Sequence, residues 1–220
     1  LINEKKDPMK RREMLVCVAS VVPALLARSA SIAHGQPETP LSRDSVLRDP
    51  DIPSTGNPAG DVTIVEYFDY QCPYCKKIAP ILADVVKEDG GIRLVLKDWP
   101  IFGELSVQSA RFVLGAKFQG KFHDAYYALM ATRGRLTEAR LLETLKQAGV
   151  SLEKLRGALE AHDEELKSIL KRNAAQAEAF GFNGTPSFIV GTFRVPGVPT
   201  AEQFRMMIAD VRAGKDKIAR

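Results

Sequence analysis

Glu66-Tyr67-Phe68-Asp69-Tyr70-Gln71-Cys72-Pro73-Tyr74-Cys75-Lys76-Lys77-Ile78-Ala79-Pro80 is the stretch whose reading decides the fold. Val62, Ile64, Val65, Tyr67 and Phe68 are β-branched or aromatic and predict a buried strand. Ile78, Ile81, Leu82, Val85 and Val86 then recur at helical spacing and give the following helix an inward face. Cys72 and Cys75 therefore fall where a strand ends and a helix begins. The first N–H groups of a helix lack internal partners, and the peptide dipoles gather partial positive charge there. A thiolate at that end is stabilised, so the thiol becomes nucleophilic near neutral pH. The chemistry expected is disulfide exchange.

The chain has 220 residues, 45% hydrophobic and 26% charged, enough for one substantial core. Lys10, Arg11 and Arg12 precede an apolar stretch from Met14 to Ala27 and small residues ending at Ser31-Ile32-Ala33. That pattern predicts a cleavable export signal over residues 1–33, with Met9 as a plausible start. The apolar part is shorter than a membrane-spanning helix and holds Pro23. Arg11-Arg12 leaves the ordinary secretory and twin-arginine routes both open, the former favoured. Without this segment the formal charge falls from +4 to +1, Cys17 is lost, and Cys72 and Cys75 are the only cysteines remaining. No basic stripe interleaved with aromatics is left downstream, so no nucleic-acid partner is expected.

Residues 34–60, rich in proline and glycine, read as a linker or N-terminal arm. Residues 61–104 hold the first strand, the dithiol helix ended by Gly90-Gly91, and a parallel second strand at Ile92 to Leu96. From 105 to 181 only helical patterns occur, one capped by Thr137 and another by Ser151. Residues 182–215 return to strands joined by a two-residue turn at Gly191-Thr192, then a helix opened by the Thr200/Gln203 capping-box pair. The fold class expected is α/β, a sheet domain interrupted by a helical subdomain.

Cys-x-x-Cys also serves zinc, haem and inert disulfides. Zinc needs four ligands, and His34, His123 and His162 have no ligand-like spacing; Lys76 stands where c-type haem attachment requires histidine. A disulfide closing so short a loop removes little unfolded-state entropy. Redox exchange is the expectation, with no metal and no cofactor.

Cys72-Pro73-Tyr74-Cys75 with Lys76-Lys77-Ile78-Ala79-Pro80 resembles the thioredoxin active-site helix, and the helical insertion is similar to the DsbA-like branch of that superfamily. Phe68-Asp69-Tyr70-Gln71 and Lys97-Asp98-Trp99-Pro100-Ile101 resemble the exported DsbA-like proteins related to ScsC. The resemblance implies a thioredoxin fold and a protein disulfide oxidoreductase, periplasmic or otherwise exported. It implies that Cys72 attacks and Cys75 resolves, that Pro73 and Tyr74 face the substrate and tune the potential, and that Pro186 of Gly184-Thr185-Pro186 is a cis-proline beside which Thr185 docks an extended chain. It further places Glu66 and Lys97 at proton transfer to the buried cysteine. A strand-end ion pair is the plainer reading of those two.

The partners implied are client proteins with cysteine pairs and a membrane redox partner of unknown identity. Oxidation of clients leads; an isomerase or reductase kept reduced by a membrane donor, and a peptide-binding holdase, are the alternatives. A monomer is favoured, because only about 28 residues precede the domain. Trp99, Phe102, Tyr126 and Phe182 are candidates for a peptide-binding surface but suit a core better, and the charged run Glu160 to Arg172 suits a solvated helix face.

Overall fold

The computed structural model describes residues 41–216; the expected export signal lies outside them. A five-stranded sheet in the order β1 (Ser54–Gly56), β3 (Ile92–Asp98), β2 (Val62–Phe68), β4 (Ser187–Val190) and β5 (Phe193–Pro196) organises the chain. Its centre is β2 (Val62–Phe68), every residue of which is buried. β-branched and aromatic side chains suit a strand covered on both faces, each fully buried one contributing about 1.5–3 kcal/mol. Parallel to β2 runs β3 (Ile92–Asp98), with Glu66 opposite Leu96 and Tyr67 opposite Lys97. Between them lies α2 (Pro73–Asp89), which ends at Gly90 in the left-handed conformation, φ 70°.

The helical insertion comprises α3 (Glu104–Ala116), α4 (Phe122–Met130), α5 (Glu138–Gln147), α6 (Leu152–Ala161) and α7 (Asp163–Ala179). The side chains of Thr137 and Ser151 cap α5 and α6. β4 (Ser187–Val190) then pairs antiparallel with β2, and β5 (Phe193–Pro196) returns from it through the Gly191-Thr192 turn. The capping box of Thr200 and Gln203 opens the last helix, α8 (Ala201–Arg212).

Of the segment expected as a linker or N-terminal arm, residues 43–56 hold regular structure that the proline- and glycine-rich reading did not anticipate. Arg43–Leu47 forms α1, capped by Ser42, and Ser54–Gly56 forms β1, antiparallel to β3. Val46, Leu47 and Ile52 are buried in the core. Long-range polar bonds hold this segment: Arg172 donates to Asp49 at 2.8 and 3.0 Å and to Asp51 at 2.9 Å. Arg172 is thus a clamp between α7 and the N-terminal segment rather than part of a solvated face.

Candidate active site

Alternation along β2 sends Glu66 and Phe68 to one face of the sheet and Tyr67 to the other. On Tyr67's face its hydroxyl donates to Gln176 of α7 at 3.1 Å, and its ring meets Phe180 and Phe182. Beneath α2, Glu66 accepts a hydrogen bond from the Tyr126 hydroxyl at 3.1 Å.

Cys72 is the N-cap of α2, in extended conformation, and the Cys75 N–H donates to its sulfur at 3.4 Å. Across from it the Thr185–Pro186 peptide bond is cis, and the Cys72 thiol donates to the Thr185 carbonyl at 3.1 Å. Both cysteines are free and buried. The Cys75 thiol hydrogen bond does most to hold the Cys72 pKa down at about 6; burial opposes it, and the Thr185 side chain and the N–H groups of Cys75 and Tyr74 assist. Among the described residues the Thr185 hydroxyl has no hydrogen-bond partner besides the Cys72 sulfur. At pH 7 roughly nine in ten Cys72 side chains are therefore thiolate. Cys75 goes the other way. Burial pushes its thiol far up, and its hydrogen bond to Cys72 and the neighbouring charges of Glu66 and Cys72 push further.

Glu66 is fully buried. Desolvation raises its pKa to about 8 against the Tyr126 hydrogen bond, and the Cys72 charge adds to the rise. Its Oε1 has no hydrogen-bond partner among the described residues. A carboxyl poised near neutrality beside the buried thiol can hold or give up a proton there.

Lys97 does not join this site. Opposite Tyr67 in the register, it points to the other face, where its ammonium donates to the Ser45 carbonyl at 3.0 Å and lies 3.5 Å from Asp49. Burial lowers its pKa to about 8, and the Asp49 charge restrains the fall. Its partner is the N-terminal segment, so neither the proton-transfer role nor an ion pair with Glu66 fits this geometry. The residue at the end of β3 that shares a face with Glu66 is Asp98, opposite Phe68. Burial pushes its carboxyl well up, against the neighbouring Tyr70 hydroxyl, which favours the charged form.

Of the four aromatics considered for a binding surface, Trp99, Tyr126 and Phe182 are core, whereas Phe102 is exposed. Tyr74 and Ile101 are exposed as well. Asp69 fixes the strand end to the loop after β3. Its Oδ1 accepts from Gln71 N–H and the Ser106 hydroxyl, both at 2.7 Å, and its Oδ2 from the N–H groups of Ile101 and Phe102 at 2.7 and 3.1 Å. Sequence reasoning missed this carboxylate, although an Asp two residues before the N–H it accepts from is an Asx-turn signal. Among the described residues no cluster of three or more His, Cys, Asp or Glu is placed to hold a metal ion.

An acidic thiol, a protonated partner thiol and a buried acid gathered at the end of a central strand define a dithiol protein of thioredoxin fold. The family model described as Thioredoxin matches residues 49–210, and the chain belongs to that family. A thioredoxin-like oxidoreductase from Silicibacter pomeroyi is 40% identical, with a TM-score of 0.75, covering 78% of this chain and 98% of that one. The thiol:disulfide interchange protein DsbA of Bordetella parapertussis is 27% identical over 207 residues, 92% of this chain and 88% of that protein. The Na+/H+ antiporter NhaA 1 of Salinispora arenicola is 26% identical over 158 residues, 70% of this chain. The chain spans about a quarter of that antiporter's length (24%). The resemblance to DsbA-like thiol-disulfide oxidoreductases read from the motifs is thus upheld.

Proposed function

We propose that the chain is an exported thiol-disulfide oxidoreductase that oxidises cysteine pairs in client proteins. A client thiolate attacks the Cys72 sulfur of the Cys72–Cys75 disulfide, forming a mixed disulfide and expelling Cys75 as thiolate. Glu66, protonated below about pH 8, gives Cys75 its proton. The client's second thiolate then attacks its own cysteine in the mixed disulfide, forming the client disulfide and releasing Cys72 as thiolate. Two electrons pass from client to protein. Pro73 and Tyr74 front the attacked sulfur, and Thr185-Pro186 receives the client backbone as an added strand. A membrane redox partner would restore the disulfide. Export rests on the basic, apolar and small-residue order of residues 10–33.

The observation that carries this reading is Cys72 at the N-cap of α2, its sulfur taking the Cys75 N–H at 3.4 Å so that its pKa is held down at about 6, beside a buried Cys75 whose thiol is held protonated. A stabilised thiolate is a good leaving group and favours the reduced protein, which makes the disulfide oxidising. At pH 7 the shift from 9.0 to about 6 is worth about 1.4 kcal/mol, or roughly 30 mV. Tyr74 adds no positive charge, so a moderate oxidant is expected. Equilibration with glutathione should give a potential less negative than about −230 mV; a value near −270 mV, the thioredoxin range, sinks the oxidase assignment.

A further inference from the structure

One corner of the surface beside the dithiol gathers cations that form no ion pair among the described residues. Lys76 and Lys77 follow Cys75 on α2, Arg133 and Arg135 sit in the loop between α4 and α5, and Arg140 is in the first turn of α5. None of the five forms an ion pair among the described residues. The arginines of other faces contrast with them: Arg111 pairs with Asp163, Arg172 with Asp49 and Asp51, Arg205 with Glu88, and Arg212 with Asp61 and Asp89. No acid occurs from residue 73 to 83 or from 125 to 137. The nearest ones along the chain are Asp69, held by the Ser106 hydroxyl and the N–H groups of Gln71, Ile101 and Phe102, Asp84, Asp124, paired with Lys121, Glu138, whose carboxylate takes the Gln108 amide, and Glu143, whose carboxylate takes the Gln147 amide.

Three of them, Lys76, Lys77 and Arg133, line a groove of about 530 Å³ between α2 and the end of α4. Its floor is apolar, from Pro73, Pro80, Tyr127 and Met130, and Lys77 and Arg133 stand at its edge. Lys76 crosses it to donate to the Thr132 hydroxyl at 2.9 Å, a neutral partner. Burial lowers the Lys76 pKa, Arg140 lowers it further, and Asp69 and the Cys72 thiolate oppose both. A half-buried ammonium in that setting gains from an incoming anion more than an exposed one would. Pro73 to Pro80 spans about 10 Å of helix, the length of roughly three extended residues.

We propose that this groove docks an acidic segment of the client polypeptide, Asp or Glu residues interspersed with an apolar side chain, lying within about five residues of the cysteine that reacts with Cys72. The proposal rests on the exchange reaction above and names the class of client that reaction prefers. The carboxylates meet Lys76, Lys77 and Arg133 while the apolar side chain covers the proline and tyrosine floor. Complementary charge speeds encounter and fixes register, and salt weakens it.

The test uses the full chain in its oxidised form and three peptides of equal length. Each has one cysteine flanked on both sides by three variable positions, filled with Asp and Glu, with Gln, or with Lys. Flanking acids raise a peptide's own thiol pKa, so rates of mixed-disulfide formation are compared per thiolate. At low ionic strength the acidic peptide should react about tenfold faster than the Gln peptide, the effect of a few exposed ion pairs formed together, and the Lys peptide slowest. The ratio should shrink to about twofold at 0.5 M salt. In Lys77→Glu/Arg133→Glu it should fall to one or below, whereas Lys154→Glu/Lys171→Glu, an equal charge change on α6 and α7, should keep it. Equal rates for acidic and Gln peptides, or a preference that survives the groove reversal, overturn the proposal. Failure of all three peptides to react overturns the exchange reading beneath it.

Discussion

Reduced and oxidised forms of this protein should differ in stability by an amount that depends on pH in a calculable way. The Cys72 thiol titrates at about 6 in the folded dithiol and at 9.0 as an ordinary thiol. A depressed folded pKa contributes stability that is full above the unfolded value and is lost as pH falls through the folded one. Integrating that linkage at 25 °C gives less than about 0.1 kcal/mol at pH 5, about 1.4 at pH 7 and about 2.7 at pH 8. The oxidised form has no Cys72 thiol and lacks this contribution. Glu66 is raised mainly by burial, with the Cys72 charge the smallest cause, so its destabilising effect as pH rises should largely cancel in the difference. The disulfide's effect on the unfolded chain does not depend on pH. Urea unfolding of both forms from pH 5 to 8 should therefore show the reduced protein gaining about 2.5 kcal/mol on the oxidised one, nowhere steeper than about 1.4 kcal/mol per pH unit. A difference constant within about 0.5 kcal/mol over that range would refute the assignment of a stabilised thiolate to Cys72.

Two substitutions separate the two faces of the sheet. Glu66→Gln removes the acid beside Cys75 and should slow attack on the oxidised dithiol at least tenfold at pH 7, measured by stopped-flow with a client peptide. Because Glu66 is protonated only below about 8, the gap should close as pH rises past that value, and a gap that persists at pH 9.5 would assign the loss to packing. Lys97→Met removes one partner of Asp49, which Arg172 still holds, and should cost about 2–3 kcal/mol in urea unfolding. Its thiolate absorbance titration and exchange rate should stay within about twofold of the parent; a Cys72 pKa displaced by a full unit would return Lys97 to the site.

The parts of this fold that the sequence makes legible are those with local causes. Strand β2 is a β-branched run, α2 has a repeating apolar face, and Thr137, Ser151 and Thr200 cap their helices through their own side chains. The N-terminal segment was not legible, because α1 and β1 are too short to show a period and are held by Arg172, more than 120 residues away. Lys97 failed for a sharper reason. In a sheet a one-residue change of register exchanges the faces, and whether Glu66 lies opposite position 96 or 97 is set by how α2 and Gly90 return the chain to β3. That single residue changes the chemistry. A lysine against Glu66 would keep the carboxylate ionised at pH 7, leaving it no proton to give. With Lys97 turned to Asp49, Glu66 has a tyrosine hydroxyl, not a cation, as its partner, and it carries a proton at the pH where a departing Cys75 thiolate needs one.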